Sequence, residues 1–245
     1  MRIIFIRVIV LSSCILLLSQ CGGNKQSRVA KSIEDVDKTT KVTTIERQIN
    51  DVKIIVKQIK SLVESPNVPL CKAEILVSNN NKLLDSLKFD AIEALGGCYG
   101  FIVYSQLIDN HLIISKYGDY DGRTIVINEN GRMVSIVGGN VYYDEESSLL
   151  FSIYDSDISG FSIYDLKSDM LLLEMEDMSA RPIGFYKNNN SFYIQTIDDE
   201  TEELAIWEVK LDLQRILKVD IELESIKDMI LPGLTDYSKI EINCE

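Results

Sequence analysis

The chain has 245 residues, 46% of them hydrophobic, which is enough to bury a sizeable core and too apolar for a disordered chain. Its 38 acidic residues against 25 basic ones leave a net charge of -13, a field that repels phosphate backbones and argues against a nucleic-acid partner. The same field disfavours tight contact with anionic lipid headgroups, and leaves a basic protein, a cation or a neutral ligand as partner classes.

The first element is an export segment. Arg2 opens a short basic region, and the apolar runs Ile3-Ile4-Phe5-Ile6, Val8-Ile9-Val10-Leu11 and Ile15-Leu16-Leu17-Leu18 follow it. Arg7 and Ser12-Ser13-Cys14 interrupt these runs, so the segment reads as a signal peptide over residues 1–20 rather than a stable span or a core helix. Leu18-Ser19-Gln20-Cys21-Gly22-Gly23 resembles the lipobox of bacterial lipoproteins. The resemblance implies cleavage before Cys21 and lipidation of its thiol, and Gly22 in place of Asp implies sorting to the outer membrane of a Gram-negative cell envelope. Gln20 departs from the small residue usual there, and Leu11-Ser12-Ser13-Cys14 is an alternative box behind a shorter apolar run. Without the first 20 residues, which hold Arg2 and Arg7 and no acid, 23 basic residues face 38 acidic ones, a net of -15. Residues 21–42 are polar, mixed in charge and without period, as in a flexible tether.

The repeat domain is expected over residues 43–245. In the stretch 43–65, Ile45, Ile49, Val52, Ile55 and Ile59 follow helical spacing, Thr43 with Glu46 has the form of a capping box, and Pro66 is a stop signal. This pattern predicts a short N-terminal helix packed on a sheet, although Val52-Lys53-Ile54-Ile55-Val56 is also strand material. Ala73–Ser78, a turn at Asn79–Lys82, and Leu83–Phe89 read as a hairpin.

Three further units follow, each with four short segments rich in β-branched and aromatic residues and bounded by Asn, Asp, Gly and Ser. The first runs through Gly100–Tyr104, Leu112–Ser115, Thr124–Asn128 and Met133–Val137, with Asn130-Gly131 expected as a two-residue hairpin turn. The second runs through Val141–Tyr143, Leu149–Tyr154, Phe161–Asp165 and Met170–Leu173. The third runs through Ile183–Tyr186, Phe192–Ile197, Ala205–Val209 and Ile216–Ile221. The hairpin at Ala73–Phe89 matches the last two segments of each unit. Leu223–Leu231, ended by Pro232-Gly233, is a second helix candidate.

A period of about 40 residues suits a four-stranded blade. The arrangement resembles the propeller domains common in exported bacterial lipoproteins. The fold class is therefore mainly β, with antiparallel four-stranded blade-like repeats. A small or incomplete propeller and an open, curved meander both satisfy the pattern.

Chemistry is sparsely signalled. The single histidine, His111, enters a strand from a turn, and no nucleophile motif accompanies it. Cys71, Cys98 and Cys244 match no zinc or redox spacing; Cys71 with Cys98, Cys98 with Cys244, and three unpaired thiols all remain open. The Gly96-Gly97 and Gly138-Gly139 pairs follow no phosphate-loop pattern, and no cofactor is implied.

The most suggestive feature is a set of acidic turns at equivalent places: Asp119 and Asp121, Asp155 and Asp157, then Asp198, Asp199 and Glu200. Carboxylates in a row are candidate ligand-binding groups, while Asp and Gly are also what solvated tight turns require. Most aromatics fall on strands, as core residues do, with Tyr117 and Tyr120 at a turn. The reading that follows is a membrane-anchored, non-enzymatic binding lipoprotein for a protein or carbohydrate ligand. A carbohydrate-active hydrolase with paired carboxylates and an inhibitor or immunity-type lipoprotein are the rivals.

Overall fold

The computed structural model describes residues 30–37, 40–61, 71–91, 102–117, 122–154, 159–222, 225, 230–231 and 233–234. Among the described residues seventeen antiparallel strands form one five-stranded sheet and three four-stranded sheets, each a simple meander in chain order. The first sheet holds β1 (Ala30–Asp37), β2 (Thr40–Ile49), β3 (Val52–Ser61), β4 (Cys71–Asn79) and β5 (Lys82–Ala91). The second holds β6 (Ile102–Ile108), β7 (His111–Tyr117), β8 (Arg123–Ile127) and β9 (Met133–Val137). The third holds β10 (Asn140–Asp144), β11 (Leu149–Tyr154), β12 (Gly160–Asp165) and β13 (Met170–Met175). The fourth holds β14 (Ala180–Asn188), β15 (Ser191–Asp198), β16 (Leu204–Lys210) and β17 (Arg215–Val219). Blade-like repeats are thus the architecture, and the last three sheets follow the three sequence units strand for strand.

Two expectations are corrected. Residues 40–61 form no helix: β2 and β3 pair over their whole length, from Thr40 opposite Ser61 to Ile49 opposite Val52. Of the residues on the helical stripe, Ile45, Ile49 and Val52 face one core with Ile54 and Val56, whereas Ile55, between the last two on β3, falls on the opposite face, as strand alternation requires. Asn50 takes the left-handed conformation that the hairpin turn needs, with φ 49°. The Asn130-Gly131 turn is also longer than expected. β8 ends at Ile127 and β9 begins at Met133, so Asn128–Arg132 form the loop, and of its residues Gly131 alone has positive φ, at 80°. Asn80-Asn81 and Asp109-Asn110 are the two-residue turns with both φ values positive. The helix candidate at Leu223–Leu231 lies mostly outside the described residues; Ile230 within it forms a β-bridge to Tyr186.

Three apolar cores join the sheets in sequence. The first, between sheets one and two, contains Ile54, Ile75 and Val77 with Ile114, Ile125 and Ile127. Neighbouring residues on the second sheet, Ile113, Val126 and Ile136, point the other way and meet Val141, Leu150 and Tyr164 of the third. Leu149, Phe151 and Ile163 leave the opposite face of the third sheet to meet Phe185, Phe192 and Ile194 of the fourth. The middle sheets are therefore apolar on both faces, which explains the unbroken burial along Leu149–Tyr154. Among the described residues no apolar cluster joins the fourth sheet to the first.

The two outer faces differ. That of the first sheet carries the cross-strand ion pairs Lys53–Glu46 at 3.0 Å and Lys88–Glu74 at 3.3 Å. That of the fourth buries Tyr186 and Ile206 with Tyr193, Val219 and Ile221. Such terminal faces are what a stack of repeats needs, since each inner unit depends on neighbours to cover its apolar surface.

Candidate functional site

Meander topology sorts the connections between strands. In the last three sheets the first-to-second and third-to-fourth strand turns lie at one end of the stack and the second-to-third connections at the other; in the five-stranded first sheet the β2–β3 and β4–β5 turns share the former end. The acidic turns fall on the second kind: β7–β8, β11–β12 and β15–β16. Asp119, Asp121, Asp155 and Asp157 lie outside the described residues, as does Cys21. Asp198 is described. It ends β15, and its Oδ1 accepts the Glu200 N–H at 3.0 Å and the N–H and hydroxyl of Thr201 at 2.9 and 3.0 Å. The hydrogen bonds from Thr201, with that from Glu200, hold its carboxyl below the ordinary range. This is a turn whose Asp satisfies its own backbone. Among the described residues no three His, Cys, Asp or Glu side chains converge as a metal site.

The densest polar cluster lies at the opposite end, where the second and third sheets meet. The tight Asp109-Asn110 turn makes His111 the first residue of β7, opposite Ile108 and only 6% exposed. Its Nδ1 lies 2.7 Å from the Asp109 carbonyl oxygen and its Nε2 lies 3.0 Å from Asp169 Oδ1. Asp169 closes the β12–β13 turn with φ 56°, a turn begun by Asp165, which accepts the Lys167 N–H and the Ser168 hydroxyl. Asp169 also accepts the Tyr164 hydroxyl at 3.2 Å and the Asn128 amide on Oδ2. Asn128 shapes its own loop meanwhile, its Oδ1 accepting the N–H groups of Asn130 and Arg132 at 3.0 and 2.9 Å. Arg132 in turn donates to the Asp169 carbonyl at 3.3 Å. Beside these groups the Tyr143 hydroxyl donates to Asp109.

The electrostatics follow from the partners. Burial raises the Asp169 carboxyl, but the bonds from Asn128, His111 and Tyr164 outweigh it and hold the group below the ordinary range. Burial and the neighbouring Asp169 push the Tyr164 phenol up to about 12, and burial with Asp109 does the same to Tyr143. Both ring nitrogens of His111 are engaged by oxygen partners, the Asp109 carbonyl and the Asp169 carboxylate. Neither nitrogen is left to take a proton from a substrate. A base that activates a nucleophile needs one ring nitrogen on the reacting hydroxyl or thiol. The geometry makes His111 a fastener between two sheets.

Similar fasteners mark the other junctions at the same end. Between the third and fourth sheets Lys187 Nζ reaches both oxygens of Asp144 at 3.0 and 2.9 Å and Glu146 at 2.6 Å. It also stands 5.7 Å from the centre of the Phe192 ring. Burial works against the Lys187 charge, but Glu146 and Asp144 raise its pKa above the ordinary lysine value. Between the first and second sheets Asn50 donates to Glu129 at 3.0 Å.

His111, placed at a turn entering a strand, sits where the sequence puts it. Its partner Asp169, the Asn128 and Tyr164 groups that bind the same carboxylate, and the Lys187–Asp144 pair carry no sequence motif. The one available signal is repetition: an Asn or Asp closes corresponding strands at Asn128 and Asp165. Cys71 opens β4, and Cys98 and Cys244 lie outside the described residues. No protein-family model matches this chain, and no curated protein matches it.

Proposed function

We propose that the protein is an exported lipoprotein, lipid-anchored at Cys21, that presents its stacked sheets as a non-enzymatic recognition module. The observation that carries this reading is Leu18-Ser19-Gln20-Cys21-Gly22 directly behind an apolar N-terminal run. The recognition role draws support from topology. The β7–β8, β11–β12 and β15–β16 connections repeat at equivalent places on successive sheets, and loops held in a row by a rigid scaffold are where binding surfaces are usually built. Their acidic residues and the net charge of -13 favour a basic partner surface. The engagement of both His111 nitrogens favours binding over histidine chemistry.

The test is metabolic labelling with palmitate of the wild-type chain and of Cys21→Ser, followed by fractionation. Label in the wild type that is lost in the variant, with the wild type in the envelope, supports the anchor. An unlabelled wild type among cytosolic species overturns it. For recognition, the wild-type protein is used to capture partners from envelope extract at low and high salt. A basic partner released by salt is expected, whereas hydrolysis of a model glycan without any captured partner reverses the assignment.

A further inference from the structure

Residues 230–231 and 233–234 run along the first strands of the fourth and third sheets, and their contacts repeat. Ile230 bridges Tyr186 of β14, and the next residue, Leu231, donates its N–H to the Phe185 carbonyl at 3.0 Å. Three residues on, Gly233 bridges Tyr142 of β10, and Leu234 donates to the Val141 carbonyl at 2.9 Å. Leu231 enters the core between the third and fourth sheets, and Leu234 the core between the second and third. Three extended residues rise about 10 Å, which is also the spacing of sheets packed face to face. The segment therefore takes one rung per sheet, travelling from the fourth sheet towards the first.

The next first strand in that direction is β6. Tyr186 and Tyr142 each stand three residues before the first turn residue of their hairpins, Asn189 and Glu145, and Gln106 stands three before Asp109. Ser105 and Gln106 pair with Ile114 and Ile113 of β7 as Val141 and Tyr142 pair with Ser152 and Phe151 of β11. Equal strand direction and equal alternation put the Ser105 backbone groups on the outer side, as they put those of Val141 and Phe185. Among the described residues β6 has a strand on one side only. Gln106 Oε1 is buried there with no donor among the described residues, which is costly for a polar atom. Beyond Leu234 the sequence keeps the same rhythm: Leu231, Leu234, Tyr237 and Ile240 are apolar or aromatic, and Thr235, Asp236, Ser238 and Lys239 fall between the last three.

We propose that the open edge of β6 is the third rung, and that the chain beyond Leu234 docks on it, with Asp236 opposite Gln106 and the Tyr237 N–H on the Ser105 carbonyl. The Tyr237 ring then meets the core between the first and second sheets. Such a strap closes three successive sheet edges that would otherwise accept a foreign strand. The inference is independent of the lipid anchor.

Paired cysteines in the full chain test it. Residues opposite each other across an antiparallel bridge lie about 5 Å apart at Cα, within disulfide reach. Gln106→Cys with Asp236→Cys is compared with Tyr142→Cys plus Gly233→Cys, which spans an observed bridge. Both pairs are expected to oxidise within one chain, identified by peptide mass. A 106–236 pair that stays reduced while the control oxidises overturns the proposal, and so does a dimer linked through position 106, which puts a second copy on the edge. Hydrogen exchange of Tyr237→Ala gives an independent reading. In the proposed register the Leu107 N–H donates to the Thr235 carbonyl, and the Leu107 amide is expected to exchange at least about tenfold faster than in the wild type while the Leu234 amide, bonded to Val141, stays protected. Equal Leu107 rates in the two proteins also overturn it.

Discussion

A Cβ placed on Gly138 would lie 2.4 Å from the Ser152 hydroxyl oxygen and 2.6 Å from the backbone nitrogen of Ile153. The linker between the second and third sheets passes against β11 at a distance only a glycine allows, with φ at +107°. It is fixed there on all sides. Gly138 donates to the Gly122 carbonyl and Gly139 to the Ile153 carbonyl, both at 2.9 Å. Thr124 and Ser115 hydroxyls bind the Gly138 and Gly139 carbonyls in return. Gly138→Ala meets both the backbone of Ile153 and an unfavourable φ, and is expected to destabilise the protein by about 2–4 kcal/mol. Denaturant unfolding monitored through Trp207 measures this.

Asp169→Asn removes the anionic acceptor shared by His111, Tyr164 and Asn128. Loss of a charge-assisted bond in a partly buried setting gives an expected cost of about 1–3 kcal/mol at neutral pH. The pH dependence has a definite sign. The Asp169 carboxyl is held below its ordinary value of 3.8 in the folded protein, so its stabilisation is complete above that value and is lost as pH falls through the lower folded value. Thermal melts in steps below pH 4 should show a steeper acid loss for the wild type than for Asp169→Asn.

Lys187 gives the opposite sign. Its pKa is raised above 10.5, so its contribution is complete below that value and is lost as pH climbs through the folded value. Lys187→Met leaves Asp144, which is itself mostly buried, without its cation. A loss of about 1–3 kcal/mol near neutrality is expected, together with disappearance of the wild type's alkaline destabilisation. Melts from pH 8 to pH 11 check both parts.

Phe151 is fully buried, with its ring 4.9 Å from those of Phe185 and Phe192. Phe151→Ala opens a cavity between the third and fourth sheets and is expected to cost about 3–5 kcal/mol. Leu171→Ala, at a position on the same sheet that is 38% exposed, should stay within about 0.5 kcal/mol of wild type by the same urea titration.

Strand material in the last three sheets was legible because both faces of the middle sheets are buried. Runs such as Leu149–Tyr154 are then apolar throughout, and Asn, Asp and Gly mark their ends. The first sheet hid itself for a specific reason. Arg47 occupies an inward position between Ile45 and Ile49, and is buried there, so alternation along β2 is broken at its centre. The remaining isoleucines then fit a spacing of three and four, and Thr43 with Glu46 supplied a false cap. At the His111 cluster one member of the hydrogen-bonded set could be singled out from residue type. Asp169 meets His111 across 58 positions of chain and Asn128 across 41, a proximity that only sheet stacking creates. Asp198 had the right residue type for a ligand, yet its oxygen is occupied by its own turn.

The unlike ends of the stack decide how many sheets it can hold. Sheet one turns a lattice of lysines and glutamates outward, and sheet four keeps its tyrosine and isoleucine surface beneath Val219 and Ile221. The charged lattice at the first end has no counterpart at the fourth, where Leu204 and Leu217 stand exposed on the same side as Ile206 and Val219. A further copy of a middle unit, by contrast, would find greasy neighbours on both sides, making the interior the place where such a chain could lengthen by duplication.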